Sequence, residues 1–106
     1  MISASTLRRG RIMAIRVTVK AISEISRVLG WDQKEVEFEG STIESLLKTL
    51  VTLDGKSLYS YIVEQGGLKG GYIVSVNGHV IPSLDTQLNP GDHVMTMEMV
   101  RLFHGG

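Results

Sequence analysis

One segment, residues 41–51, carries a clear helical pattern, and it limits the folds that are open to this chain. Its apolar side chains recur at the spacing i, i+3, i+4 and i+7, at Ile43, Leu46, Leu47 and Leu50, which gives a helix a single apolar face. Ser41 and Glu44 match a capping box, in which both side chains bond free N–H groups of the first turn. Because a lone amphipathic helix must bury its apolar face, the rest of the chain has to supply the covering surface.

Most of the remaining chain alternates with a period of two residues, which is typical of strands with one buried face. Such runs cover residues 14–22, 35–39, 72–76, 79–81 and 94–100, and shorter helical patterns cover 23–30 and 57–65. Asn77-Gly78 is a type I′ hairpin signal. We therefore predict an α+β domain, a four- to five-stranded mixed sheet with one main helix packed on one face and the other face partly open.

The last strand has two faces of different composition. Met95, Met97 and Met99 lie on one face, and the other consists of Val94, Thr96, Glu98 and Val100. We expect the methionine face to lie under the helix as core. The two valines compete for that side, however, and methionine also suits adaptable binding surfaces.

Composition excludes several function classes. Lys+Arg and Asp+Glu number 11 each and there is no cysteine, so we expect no nucleic-acid partner, no disulfide and no thiol nucleophile. No apolar run reaches the roughly 18 residues of a membrane span. His79, His93 and His104 are too scattered for a metal site, and the glycine-rich loop 66–71 lacks the ending of a phosphate-binding P-loop. These features favour a cytoplasmic protein with no bound cofactor.

The two ends differ from the body of the chain. Residues 1–13 contain Arg8, Arg9 and Arg11 but no apolar signal core, so we expect a disordered arm before a domain that spans 14–100. The sequence closes with a tail of six residues, Arg101, Leu102, Phe103, His104, Gly105 and Gly106. Glycine lets a partner's backbone approach closely, and the extended tail would reach about 20 Å. We expect the tail to thread into a partner, with Leu102 and Phe103 buried there.

Several of these motifs together resemble a known family. Val76-Asn77-Gly78, Asp85, Leu88, Gly91-Asp92, Val94 and Gly105-Gly106 occur in the order found in the β-grasp, ubiquitin-like sulfur carriers MoaD and ThiS, over residues 14–106. The capped helix after Gly40 is similar to the single helix of that family. The tail departs from the molybdopterin type because it lacks proline. Its His104-Gly105-Gly106 ending is similar to the ubiquitin-related modifiers that thiolate tRNA.

The resemblance implies a carrier rather than an enzyme. An E1-like adenylating enzyme would use ATP to activate the Gly106 carboxylate, and a sulfur donor (a sulfurtransferase) would then replace AMP to leave a thiocarboxylate. The sulfur would serve cofactor biosynthesis of the molybdopterin or thiamin type, and a large synthase subunit is a further partner. Because the sequence already stops at the glycine pair, we expect no protease to be needed.

Two other functions fit the same residues. The protein could be a ubiquitin-like modifier or a tRNA-thiolation carrier that reacts through the same terminal glycine. It could also be a binding module in which the glycine pair has no chemical role.

Overall fold

The computed structural model describes residues 14–98. Outside the described residues lie the predicted arm, residues 1–13, the predicted tail, residues 101–106, and the two residues before the tail, Met99 and Val100. The elements in chain order are β1 Ala14–Ala21, α1 Glu24–Leu29, β2 Gln33–Glu39, α2 Ile43–Thr49, α3 Leu58–Ile62, β3 Val63–Glu64, β4 Gly67–Leu68, β5 Tyr72–Val76, β6 His79–Val80 and β7 His93–Glu98.

Five strands form one mixed sheet in the order β2-β1-β7-β5-β6. β1 runs parallel to β7, whereas the pairs β1–β2, β5–β7 and β5–β6 are antiparallel. β3 and β4 form a separate two-stranded ribbon. The predicted mixed sheet of the β-grasp type is thus confirmed, and the glycine-rich segment that we read as a loop contributes β4.

The helices cover one face of this sheet. All four residues of the predicted stripe in and after α2 are buried, and Ile25, Leu29, Leu58 and Ile62 from the shorter helices join them. The helical layer therefore contains α1 and α3 beside the predicted main helix. Trp31 is partly buried and packs against this core.

The start of α2 differs from the predicted capping box. Thr42, not Ser41, is the N-cap, and its side chain accepts a hydrogen bond from the Ser45 N–H at 3.1 Å. Glu44 does not reach back; its carboxylate pairs with Lys48 one turn later, at 2.9 Å. The backbone explains the shift by one residue, because the Ser41 carbonyl accepts from the Leu88 N–H and the Thr42 backbone pairs with Gln87.

The methionine face of β7 was predicted on the wrong side. Val94 and Thr96 are the buried residues, each about 1% exposed, and they pair with Val19 and Ala21 of β1 and with Val76 and Val74 of β5. Since neighbours in register share a face of the sheet, Met95 and Met97 lie on the face away from the helices. The neighbouring strands therefore decide which face of β7 is core.

One further prediction of local structure, the hairpin turn, is confirmed. The Asn77-Gly78 turn has φ angles of 51° and 88°, as a type I′ hairpin between β5 and β6 requires. Glu35, Glu37 and Glu39 are exposed along one face of β2. Among residues 14–98, no helix is long and apolar enough to cross a membrane.

Candidate functional site

The predicted reactive residue, Gly106, lies beyond the described residues, and so do the residues predicted to thread into a partner, Arg101, Leu102, Phe103, His104 and Gly105. The structure shows the strand that precedes this tail in the sequence. That strand is β7, the middle strand of the sheet, which is paired along both edges. β1 pairs with β7 as far as Thr96 and β5 pairs with it as far as Glu98, so backbone hydrogen bonds to β5 hold the end of the strand. Glu98, the last residue of β7, lies opposite Tyr72 of β5.

Two tyrosines and a glutamate tie the helices to this end of the sheet. The Tyr61 hydroxyl of α3 donates a hydrogen bond to a Glu24 carboxylate oxygen of α1 at 2.5 Å. The rings of Tyr61 and Tyr72 meet edge to face with centroids 6.2 Å apart, a favourable arrangement for aromatic pairs. We call Glu24, Tyr61 and Tyr72 the tyrosine cluster; it connects three elements beside the last residue of β7.

The tyrosine cluster holds its hydroxyls protonated. The hydrogen bond to Glu24, followed by burial and the negative charge of that carboxylate, raises the pKa of Tyr61 far above its ordinary value. Burial, followed by the charges of Glu24 and Glu98, raises the pKa of Tyr72. A phenol that stays protonated at neutral pH serves as a hydrogen-bond donor rather than as a base, so the cluster acts structurally.

A polar groove of about 520 Å³ borders the tyrosine cluster. Its walls consist of ammonium, hydroxyl and carboxylate groups from Thr52, Asp54, Lys56, Ser60, Tyr61, Lys69 and Tyr72. Two lysines and several hydroxyl donors are suited to a polar, anionic segment of a partner. The groove lies on the helix side of the sheet, near the end of β7.

An apolar area lies on the other, open face of the sheet. Met95 and Met97 of β7 are half-buried there, and they stand opposite Ser75 and Ile73 of β5. Val80 of β6, which pairs with Ser75, is 66% exposed. We call Ile73, Val80, Met95 and Met97 the open-face patch; it borders the same strand that leads to the tail.

The described residues offer no metal centre. No group of three or more possible ligands comes together between residues 14 and 98. His79 and His93 are exposed. The backbone of His93 makes two hydrogen bonds with Asn77: its N–H donates to the Asn77 side-chain oxygen at 2.9 Å, and its carbonyl accepts from the Asn77 N–H at 2.7 Å.

The sequence did not predict the tyrosine cluster or the open-face patch. Tyr61 and Glu24 are 37 residues apart, and no local periodicity links them. The patch was missed because the methionines were placed on the helix side. The alternating glutamates of β2 were a signal in the sequence that could have identified the solvent-facing side of the sheet.

Comparisons with known proteins agree with this geometry. The model of the ThiS family matches residues 19–103, whereas no curated protein matches the chain. The solved structure of the Haloferax volcanii HVO 2177 protein is similar, with a TM-score of 0.70 and 19% identity over 84% of this chain and 87% of that one.

Two other solved structures carry informative names. Small archaeal modifier protein 1 of Haloferax volcanii has a TM-score of 0.66 and 23% identity over 81% of this chain and 99% of its own. A candidate molybdopterin converting factor, subunit 1, from Pyrococcus furiosus has a TM-score of 0.64 and 25% identity, again over 81% of this chain and 99% of its own.

Proposed function

Because the chain belongs to the ThiS family, we propose that it is a sulfur carrier whose Gly106 carboxylate is adenylated and then converted to a thiocarboxylate. The observation that carries the proposal is the position of β7. The strand that leads to Gly105-Gly106 is the middle strand of a β-grasp sheet, so the body presents its tail from a rigid base.

The chemistry needs an activating partner, since a free carboxylate is a poor electrophile. A Gly106 oxygen attacks the α-phosphate of ATP held by an E1-like adenylating enzyme, and pyrophosphate leaves. A sulfur nucleophile then attacks the acyl carbon, the C–O bond to AMP breaks, and the thiocarboxylate remains. With sulfide as the donor, the step releases AMP and a proton. The chain acts as a co-substrate, and its partner binds the nucleotide.

The open-face patch supports a docking role in this reaction. It adjoins β7 on the side that carries no helix within residues 14–98, and methionine side chains can adapt their shape to an apolar partner surface. We assign this face to the adenylating enzyme. The tail residues Leu102, Phe103 and His104 would then enter that enzyme's active site, and a sulfurtransferase would supply the sulfur.

The proposed destination of the sulfur is a cofactor precursor of the molybdopterin or thiamin type. Similarity to the candidate molybdopterin converting factor, subunit 1, favours the first, with a large synthase subunit as acceptor. The proline-free tail sequence keeps the thiamin type as the alternative within this proposal.

A second candidate function is protein modification through Gly106, or sulfur delivery to tRNA. Similarity to small archaeal modifier protein 1 favours a modifier. A modifier shares the adenylation step with the first candidate and differs afterwards, because a lysine amine rather than sulfur would displace the activating group. A tRNA-thiolation carrier would share the thiocarboxylate as well and differ only in the acceptor of the sulfur.

Intact-mass measurement tests the first candidate. The protein is incubated with ATP, its cognate adenylating enzyme and sulfide, and we expect a mass gain equal to the replacement of one oxygen atom by sulfur. A variant that lacks Gly106 serves as the control and should show no gain. An unchanged mass of the intact protein, under conditions where the enzyme releases pyrophosphate, would rule out sulfur transfer.

Blots of a tagged protein test protein modification. A modifier gives high-mass conjugates in cell extract that disappear when Gly106 is deleted, whereas a carrier gives a single band. Growth that depends on molybdopterin, or on the thiazole of thiamin, then separates the two sulfur pathways in a strain that lacks the gene.

A further inference from the structure

The outer edge of β2 is an open strand edge. Within residues 14–98, β2 pairs only with β1, and it ends the strand order of the sheet. Unpaired N–H and C=O groups along such an edge can pair with another extended chain. The edge is therefore a potential site for strand addition.

Hydrogen bonds of β1 show which backbone groups of β2 point outwards. The Ala21 N–H donates to the Asp32 carbonyl beside β2 at 2.9 Å, whereas the Thr18 N–H donates to Asp92 on the β7 side at 3.0 Å. In an antiparallel pair this direction alternates along the strand. Glu35 stands opposite Thr18 and Glu37 opposite Arg16, so the backbone groups of these two glutamates point to the open edge.

A groove of about 320 Å³ with both apolar and polar walls runs beside this edge. It lies between β2 and the end of α2; Trp31, Val36, Leu50 and Val51 supply its apolar part, and the rest of its lining is polar, from Lys34, Glu35, Glu37 and Thr49. Val51 is 58% exposed there. We call this the β2 groove. An incoming strand would place every second side chain on this side of the sheet.

The opposite side of the same edge is acidic. Glu35, Glu37 and Glu39 are exposed along it, and of these three only Glu37 has an ion pair within the described chain, with Arg16 at 3.4 Å. A second copy that paired through β2 would set glutamates against glutamates, which is destabilising. The carboxylate row therefore disfavours self-pairing and favours a strand with basic side chains.

We propose that the outer edge of β2 binds, by strand addition, an extended segment of a partner protein in which basic residues alternate with apolar β-branched ones. The basic side chains lie over Glu35 and Glu37, and the apolar ones enter the β2 groove. This surface is separate from the open-face patch, so it can be occupied while Gly106 is being activated.

Titration with defined peptides tests the proposal on the full chain. The probe is a blocked six-residue peptide of alternating lysine and valine, and binding is followed by calorimetry and by NMR of the backbone amides. We expect the largest amide shifts at Glu35 and Glu37. A version of the peptide with N-methyl groups on its alternate pairing amides keeps the charge but loses the hydrogen bonds, and it should bind at least about tenfold more weakly. Equal binding of the two peptides would overturn the proposal.

Matched variants separate the two sides of the edge. Glu35→Gln with Glu37→Gln should weaken binding by about tenfold at low salt, whereas Glu64→Gln, at an exposed carboxylate on β3, should leave it unchanged. Val51→Ser should weaken binding by a few-fold, and Val80→Ser, at a similarly exposed valine on the open face, should not. Equal effects of a test variant and its control would contradict strand addition at β2; thermal melting checks that each variant is folded.

The basic residues near the start of the sequence offer a competing occupant. Changing Arg8, Arg9 and Arg11 to glutamine in the full chain should leave peptide binding unchanged if a partner strand uses the edge. A tenfold gain in affinity would show that the protein's own first residues cover β2, and it would overturn the assignment to a partner.

Discussion

Among single residues, Tyr61 makes a contact that the sequence did not predict: its hydroxyl donates a hydrogen bond to Glu24 and so links α3 to α1. We expect Tyr61→Phe to lower the free energy of unfolding by about 1 kcal/mol, since it removes a hydrogen bond to a charged group that is partly exposed to water. Urea denaturation measures the change. Tyr59→Phe is the matched control, because in the described structure the Tyr59 hydroxyl has no hydrogen bond and its ring keeps its contact with Lys48. An equal loss in both variants would contradict this role of Tyr61.

The same residue predicts a dependence on pH. The pKa of Tyr61 is raised above the ordinary 10.0 in the folded state, so its contribution to stability is complete below pH 10 and declines as the pH rises towards the folded pKa. The difference in unfolding free energy between the natural protein and Tyr61→Phe should therefore shrink above pH 10. Urea titrations from pH 8 upwards measure it, and a difference that grows with pH would contradict the prediction.

Among the secondary-structure elements, α2 can be tested at its N-terminus, where Thr42 caps the helix and Ser41 does not. We expect Thr42→Ala to lower the free energy of unfolding by about 1 kcal/mol, as the loss of an N-cap side chain does. Ser41→Ala removes the neighbouring hydroxyl, which does not cap the helix, and should change stability by less than about 0.5 kcal/mol. Urea denaturation of both variants measures the change. A larger loss of unfolding free energy in Ser41→Ala than in Thr42→Ala would show that Ser41 caps the helix after all.

The sequence predicts α2 well because its information is local. Four apolar residues at helical spacing define a buried face whichever residue begins the helix. The prediction of the buried face was therefore confirmed, although the N-cap is Thr42 and not Ser41. The cap itself depends on backbone bonds to Gln87 and Leu88, more than forty residues away. Such pairings leave no trace in the local pattern.

The last strand shows the opposite case. Both faces of β7 carry side chains that can be buried, so alternation predicts a strand but not which face is core. The decision comes from Val19, Val74 and Val76 on the neighbouring strands, and it buries Thr96 in place of a methionine. The ribbon of β3 and β4 was missed for a different reason. Its turn places Gln65 at a φ of 54°, where glutamine is uncommon, so the sequence carries no usual turn signal there.

For the molecule as a whole, the two faces of the sheet differ in what covers them. The helices bury one face, and the other presents the open-face patch on the strands around β7. This division was predictable in outline, because one amphipathic helix covers only one side of a sheet. The chemistry assigned to Gly105 and Gly106 stays a prediction, and so does the docking role that we propose for the open-face patch.

A charge placed on the open-face patch should separate docking from folding. We expect Val80→Lys to lower the kcat/KM of the cognate adenylating enzyme for this carrier by about tenfold, mainly through KM, because an ammonium group would have to be desolvated at an apolar interface. Pyrophosphate release measures the rate. Leu53→Lys is the matched control, since Leu53 is 73% exposed on the helix side. Both exposed sites should keep their unfolding free energy within about 0.5 kcal/mol. If Leu53→Lys impairs adenylation and Val80→Lys does not, the enzyme docks on the helical side, and the open-face patch has some other partner.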